Sequence, residues 1–302
     1  GADIASASSG YFLIYSLVLP FVYLYHTSEM MLKSAGNMHT PSVMAILVCI
    51  CDVIFNYIFI YICKLGVVGA AMGTALAYIC ISLPNLYLSA CKNRMLNLRQ
   101  DHVRFHWVKE YVQRACKISI PIAIQNILMS GAQIVSTMIV APLGNIAIAA
   151  HSFAITAESL CYMPGYGIGD AATTLVGQTH GAGRIDLCRN FAYMTVGLGM
   201  LVMALMGVIM YVFAPEMIGV LSPVEAIRQL GTTCLRIEAF AEPFFAASIV
   251  TYCVCVGAGD TFKPAAINLG TMWLVRLTLA YALSKSYGLE GVGIAMATEL
   301  TF

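Results

Sequence analysis

Charge is scarce in this sequence. Only 10% of its 302 residues are Asp, Glu, Lys or Arg, against about a quarter in soluble domains. With 60% hydrophobic residues and a mean hydropathy of +0.81, that scarcity excludes an ordinary soluble domain and points to a polytopic membrane protein embedded in a lipid bilayer. Sustained period-two alternation is also missing, which argues against strands and for helices. The net charge of +1 lies in loops and forms no basic patch, so nucleic acid is not an expected partner. There is no His-Glu-x-x-His, no Gly-x-Ser-x-Gly and no P-loop. Hydrolase and ATP-driven chemistry therefore have no foothold, and the chain reads as a non-enzyme without a cofactor. The eleven cysteines lie mostly inside apolar runs, as small buried hydrophobes and not as a disulfide framework. Cys49/Cys51 and Cys253/Cys255 point to different sides of a helix and make poor metal pairs. Whether a metal ion binds elsewhere is left open.

What is present is a series of apolar segments. They run approximately over 11–32, 42–63, 67–91, 117–141, 145–178, 190–213, 229–257 and 264–284, and another begins near Gly291. About 20 residues suffice for a span, so these are eight spans and part of a ninth. Segment 145–178 is longer than one straight span requires, and Pro164 predicts a bend in it. Lys92, Arg94, Arg99, Arg104, Lys109, Arg114 and Lys117 crowd one loop, and Lys33, Arg184, Arg189 and Lys263 alternate onto the same side. The opposite side holds only Lys64, Arg228 and Lys285. The richer side is cytoplasmic by the positive-inside rule, and a multi-pass protein of the cell inner (plasma) membrane is expected.

The chain is organised around Arg236–Pro264, an apolar run carrying Glu238, Glu242 and Pro243 that ends in the turn Gly257-Ala258-Gly259-Asp260. The same frame occurs earlier. Pro20 answers Pro243, Ala35-Gly36 answers Ala258-Gly259, and Pro41 answers Pro264, each 223 positions apart. Val68–Thr74 then matches Val292–Thr298 at an offset of 224. Both copies cross the membrane in the same direction, which makes a parallel repeat. The expected fold is an all-α integral membrane protein of two pseudo-symmetric six-helix lobes, the first incomplete and the last helix truncated. Residues 1–91 form the second half of the N-terminal lobe with three transmembrane helices. Residues 92–116 form a cytoplasmic basic linker, and 117–302 a C-terminal lobe of five helices plus the start of a sixth. The second copy has three spans ahead of its proline-bearing helix and the first has none. We therefore expect about 105 further residues, three spans, upstream in a longer protein.

Carboxylates inside apolar helices are costly, so they are functional candidates. Glu238 and Glu242 are one turn apart and are expected to share a helix face. Arg276 lies on the next helix at a similar depth, roughly 13 Å from the outer end, and is expected to pair with Glu238. A purely structural ion pair is the alternative. Two carboxylates facing one cation leave one free to take up a proton or a metal ion. Glu158 sits mid-span. Asp170 lies nearer the cytoplasmic end, to cap a helix or line a vestibule. Gln125 and Asn126 put amides on a helix where they either bind helices together or line a cavity. Asp52 and Asn56, one turn apart, read as a hydrogen-bond pair at least as readily as a site, and His151 as a satisfied interfacial histidine. Glu299 sits too near the end of the chain to be judged. Gly-x-Gly-Asp occurs at 167–170 and 257–260. An intramembrane aspartyl protease needs a second aspartate after an aromatic residue, whereas Asp52 follows Cys51, so ordinary turn chemistry accounts for the motif.

Taken together, Pro164-Gly-Tyr-Gly-Ile-Gly-Asp-Ala-Ala-Thr-Thr-Leu-Val-Gly-Gln-Thr-His-Gly-Ala-Gly183 and Gly257-Ala-Gly-Asp-Thr-Phe-Lys-Pro264, followed by Trp273-Leu-Val-Arg276, resemble signatures of the multidrug and toxic compound extrusion (MATE) transporters, over spans four to twelve. The resemblance implies twelve helices around a central cavity and a monomer. It implies an antiporter that exports small organic cations of amphipathic character in exchange for Na⁺ or H⁺ by alternating access. It places Glu238 and Glu242 in the span-ten carboxylate region and Glu158 in span eight. Some members carry an acid in span seven, where this chain has Gln125 and Asn126, and the coupling ion stays open between Na⁺ and H⁺. A second reading is a flippase or exporter of a lipid-linked saccharide, whose cavity should be lined by arginines. Only Arg236 and Arg276 lie near spans here. A non-transporting receptor is a third reading.

Overall fold

A segment that is apolar all round has no polar face to turn to water, and inside a bilayer its backbone can be satisfied only within itself. The described residues are accordingly helical apart from short turns. The computed structural model describes residues 2–92 and 107–301, with side chains from residue 9 onward. It divides into two units, Gly1–His106 and Trp107–Phe302.

The first unit consists of α1 (Ala2–Ser34), α2 (His39–Tyr57) and α3 (Gly66–Tyr87), with π-helical turns Ile58–Ile62 and Leu88–Lys92 extending the last two. Both α1 and α2 pack on α3, whose Gly69, Ala71, Gly73, Ala75 and Ala77 are buried. Small residues let helix backbones approach closely where lipid offers no hydrophobic drive. Asn85 donates from Nδ2 to the Tyr25 carbonyl at 3.2 Å and ties α3 to α1. The expected pair between Asp52 and Asn56 does not form. The Oδ1 atom of each is buried without a hydrogen-bond partner, and Asn56 instead fills the space over Gly73.

The second unit holds α4 (Lys109–Val140), α5 (Asn145–Gly181), α6 (Ile185–Leu221), α7 (Glu225–Ala239), α8 (Glu242–Gly257), α9 (Phe262–Gly270) and α10 (Leu277–Thr301). A 3₁₀ turn, Ala141–Leu143, follows α4, and a π-helical turn, Thr271–Arg276, joins α9 to α10. α5 and α6 pack on each other and each on α7 and α8, while α10 packs on α7 and α4. One core cluster gathers Ala147, Ala150, Ala154, Cys234, Ala280 and Ala295. A second sets Met210, Ala214 and Ile218 of α6 against Leu235 and Ala239 of α7.

Among the described residues, seven helices are long and apolar enough to cross a membrane, or eight if the bent pair α7–α8 is one span. One boundary differs from that expected. α4 begins at Lys109 and not at 117, so the end of the basic stretch 92–116 is helix. Hydropathy marks only the immersed part of a helix, and Lys and Arg are good helix formers that extend it into the interface. Residues 93–106 of that stretch lie outside the described residues. α5 runs through Pro164 without leaving helical backbone, held on either side by α6, α7 and α8. A bend of 59° lies between α7 and α8, at Pro243. α10 in turn consists of two helices divided at Gly288, with φ 58° and ψ −134°, which agrees with one apolar segment ending at 284 and the next beginning near Gly291.

The repeat is visible in the backbone of each copy. Gly36 (φ 80°) and Gly259 (φ 87°), 223 apart, are both left-handed, and so are Lys64 (φ 54°) and Gly288 (φ 58°), 224 apart. Lys64 is the one positive-φ residue other than glycine among the described residues.

Two glycines of α6 give a direct test of the packing. A Cβ on Gly207 would lie 2.8 Å from the Ala239 carbonyl oxygen and 3.3 Å from Glu242 Cβ, whereas one on Gly197 would meet nothing within 4 Å. Gly207→Ala is expected to destabilise the protein by about 1–3 kcal/mol through overpacking. Gly197→Ala should be neutral or stabilising by up to about 1 kcal/mol through helix propensity. Thermal unfolding of the two purified variants in detergent checks the contrast.

Candidate functional site

The site begins with Pro243. Proline has no N–H and its ring clashes with the carbonyl four residues back. That carbonyl belongs to Ala239, the last residue of α7. α8 then starts at Glu242 with Pro243 in its first turn, where no N–H is required. Across the break the Ala241 N–H donates to the Glu238 carbonyl at 2.8 Å, and the Phe245 N–H donates to the Ala241 carbonyl at 2.9 Å. Glu238 and Glu242 therefore do not share one helical face, as an unbroken run of 3.6 residues per turn predicts. They stand on two helices either side of a 59° bend.

Both acids are buried in the second unit, Glu238 at 2% exposure and Glu242 at 1%, and Glu158 of α5 is buried at 5%. Glu158 lies within electrostatic range of Glu238, Glu242, Arg276 and Glu299. The expected pairing of Arg276 with Glu238 is not what forms. Arg276 Nη1 stands 3.9 Å from Glu299 Oε2, and Thr271 Oγ1 donates to Glu299 Oε1 at 3.4 Å. Arg276 and Glu299 would stand about 35 Å apart on an unbroken helix, so they meet because the chain turns back at Gly288, where the backbone leaves helical geometry.

Three carboxylates, Glu158, Glu238 and Glu299, thus lie within range of one guanidinium, which is paired with Glu299, while Glu242 lies within range of Glu158. Glu158, Glu238 and Glu242 have no ion pair among the described residues. Both oxygens of Glu242, Glu238 Oε2, Arg276 Nε and Nη2, and His151 Nε2 are buried without a hydrogen-bond partner. Buried polar atoms are nearly always paired, so these orphans make the three glutamates the candidate site of the second unit. No three His, Cys, Asp or Glu side chains among the described residues are gathered closely enough to hold a metal ion.

The remaining candidates separate from this cluster. Gln125 of α4 is buried and accepts from the Tyr252 hydroxyl at 2.8 Å, which ties α4 to α8, whereas Asn126 is exposed. Asp170 is half-buried on α5, twelve residues from Glu158 and so about 18 Å along the helix. Arg236 is turned outward, donating from Nε to the Tyr211 carbonyl at 3.3 Å and lying over the Tyr211 ring. His151 is buried at 4% exposure and is not the satisfied interfacial residue expected. Sequence reasoning missed the role of Glu299. The available signal was an acid in an apolar helix that carries Gly291 and Gly293, but the 28-residue separation from Thr271 has no local pattern.

The MatE family model matches residues 121–282, more than half of the chain and all of α5 to α8. The chain belongs to the MatE family. Among its relatives, this MatE chain is 27% identical over 278 residues to the probable multidrug resistance protein NorM of Thermotoga maritima, covering 90% of the chain and 59% of that protein. It is 21% identical to the probable multidrug resistance protein YoeA of Bacillus subtilis, covering 99% and 66%. The MatE chain thus spans about three-fifths to two-thirds of the length of these relatives. Its fold matches a solved MATE structure in complex with MaD3S with TM-score 0.90 at 18% identity, over 100% of the chain and 67% of that one. It matches a mutant of the Vibrio cholerae MATE transporter VcmN with TM-score 0.83 at 18% identity, over 96% and 65%. The all-α, multi-span membrane fold is shared with these transporters.

Losing one partner of a buried ion pair costs about 3–5 kcal/mol, because the other charge stays behind uncompensated. Arg276→Met should therefore destabilise the protein by about that amount. Glu299→Gln should cost less, since Glu158 and Glu238 remain within electrostatic range of the guanidinium. Unfolding midpoints of the two variants decide. Equal losses would show Glu299 to be the whole counter-charge of Arg276.

Proposed function

We propose that the protein to which this chain belongs is an antiporter that exports small cationic, amphipathic compounds against an inward flow of Na⁺ or H⁺, by alternating access of two helical lobes. Residues 1–91 and 117–302 contribute to the two lobes, the basic stretch lies between them, and the protein works as a monomer in the cell inner membrane. The family and the names of the relatives support export and speak against an enzyme. The observation that carries the reading is the group of buried acids at the Pro243 break, three of them without a cation among the described residues.

A charge in a dry interior without a partner costs several kcal/mol. Glu238, Glu242 and Glu158 therefore favour any small positive guest that reaches them. Their burial at 1–5% exposure supports the coupling ion over the larger amphipathic drug as their guest. Protonation or Na⁺ binding at these acids changes the charge of the cluster, and the break between α7 and α8 supplies the joint that answers to it. Among the described residues near these acids, Arg236 points outward and Arg276 pairs with Glu299, which favours a cationic cargo over a pyrophosphate-linked saccharide.

In the full-length protein, the double substitution Glu238→Gln/Glu242→Gln should abolish ethidium efflux from cells with expression intact, and each single substitution should reduce it at least about tenfold. Ethidium binding to the purified double variant should persist. Efflux that survives the double substitution would reject the site. Loss of both efflux and binding would make the acids part of the drug site and not of the coupling site.

A further inference from the structure

A second polar site lies at the opposite kind of place, on the basic rim of the second unit. The first turns of α4 and the turn between α8 and α9 enclose a groove of about 660 Å³, lined among others by Arg114, Lys117, Ile118, Pro121, Asp260 and Phe262. Arg114 and Lys117 are one turn apart on α4 and exposed, and neither has an acidic partner among the described residues. Asp260 does have one. Its Oδ2 lies 3.5 Å from Lys263 Nζ, and its Oδ1 accepts from the Lys263 N–H at 3.4 Å. The groove thus holds two free cations and one acid whose charge is already met, so it attracts an anion.

The surroundings say which kind. Lys117, Ile120, Ile124 and Ile127 follow at helical spacing and share one face of α4, and the three isoleucines are exposed at 55%, 49% and 71%. A cation at the head of an exposed apolar stripe matches a molecule with an anionic head and an apolar tail. Trp107 and Tyr111 at the start of α4, and Phe262 across the groove, are exposed at 73%, 71% and 71%. Such aromatic side chains settle at the level of lipid headgroups. A soluble phosphate would use the cations and leave the stripe without purpose.

We propose that this groove binds the phosphodiester headgroup of an anionic glycerophospholipid, with Arg114 and Lys117 on the phosphate and the acyl chains along the α4 isoleucines. Basic pockets on the positive side of membrane proteins are suited to this chemistry. The site is independent of the buried acids and of the transport reading.

The test follows thermal unfolding of the purified full chain in neutral detergent as dioleoylphosphatidylglycerol, dioleoylphosphatidylcholine or inorganic phosphate is added. The anionic lipid should raise the midpoint in a saturable way, and the zwitterionic lipid and inorganic phosphate should not. In Arg114→Ala/Lys117→Ala the half-saturating lipid concentration should rise about 30-fold, the ratio for two cations beside an anionic headgroup. Arg114→Ala alone should shift it about fivefold, and Arg184→Ala, an exposed cation on the same basic side, should leave it unchanged. An unaltered response in the double or the single groove variant overturns the site. A shift with Arg184→Ala as large as with Arg114→Ala reduces it to diffuse attraction. Stabilisation by inorganic phosphate equal to that by the lipid replaces it with a soluble-anion site.

Discussion

A carbonyl that loses its helical N–H partner inside a membrane has no water to turn to, and the rest of this site follows from how one such carbonyl is accommodated. Pro243 removes an N–H and displaces the Ala239 carbonyl. That oxygen comes to rest against α6 at Gly207, where any side chain would collide with it. The same glycine lies under Glu242 Cβ, so the position that accepts the broken backbone also sets the first residue of the new helix. Glu238 then ends one helix and Glu242 begins another, so two acids four residues apart point in directions that a continuous helix could not give them. The bend and the burial of the charges are thus consequences of one proline and one glycine on neighbouring helices.

The internal repeat shows that proline alone does not produce this arrangement. Pro20 occupies the position of Pro243 in the first copy, yet α1 runs through it unbroken. The residues at the places of Glu238 and Glu242 are Tyr15 and Leu19. The two copies keep the same turns, with left-handed backbone at Gly36 and Gly259 and again at Lys64 and Gly288. They diverge where charge enters. Turn geometry is dictated locally and persists through duplication. The helix break depends on a neighbour able to receive a freed carbonyl, and that is a tertiary property which each copy acquires separately.

This division explains what could be read from the chain before its structure. The spans were legible because hydropathy over some 20 residues is a local sum, and the repeat because its prolines and glycines hold backbone positions. The family was legible from the Pro164–Gly183 and Gly257–Pro264 motifs. Glu158, Glu238 and Glu242 were legible as candidates because any acid in an apolar run is costly. Their partners were not. Helical arithmetic put Glu238 and Glu242 on one face and Arg276 opposite Glu238. It failed because the break at Pro243 puts the two acids on different helices, and because Glu299, on the segment after Gly288, is the acid that reaches Arg276. Pro164 carried the same local signal as Pro243 and produced no break. Glu299 was hidden for a related reason, since the contact that engages Arg276 links residues 23 positions apart with no local motif.

The charge arithmetic of the cluster bears on what it can hold. Arg276 balances one acid, and the remaining carboxylates lie in an interior where each uncompensated charge costs several kcal/mol. A positive guest, under the proposed function, is a small one, because Glu238 and Glu242 expose only 2% and 1% of their surface. A sodium ion needs several oxygens converging on one point. The orphaned oxygens of Glu242 and Glu238 supply part of such a set, yet no three acidic, His or Cys side chains among the described residues gather around one point. A proton needs one carboxylate and no convergence.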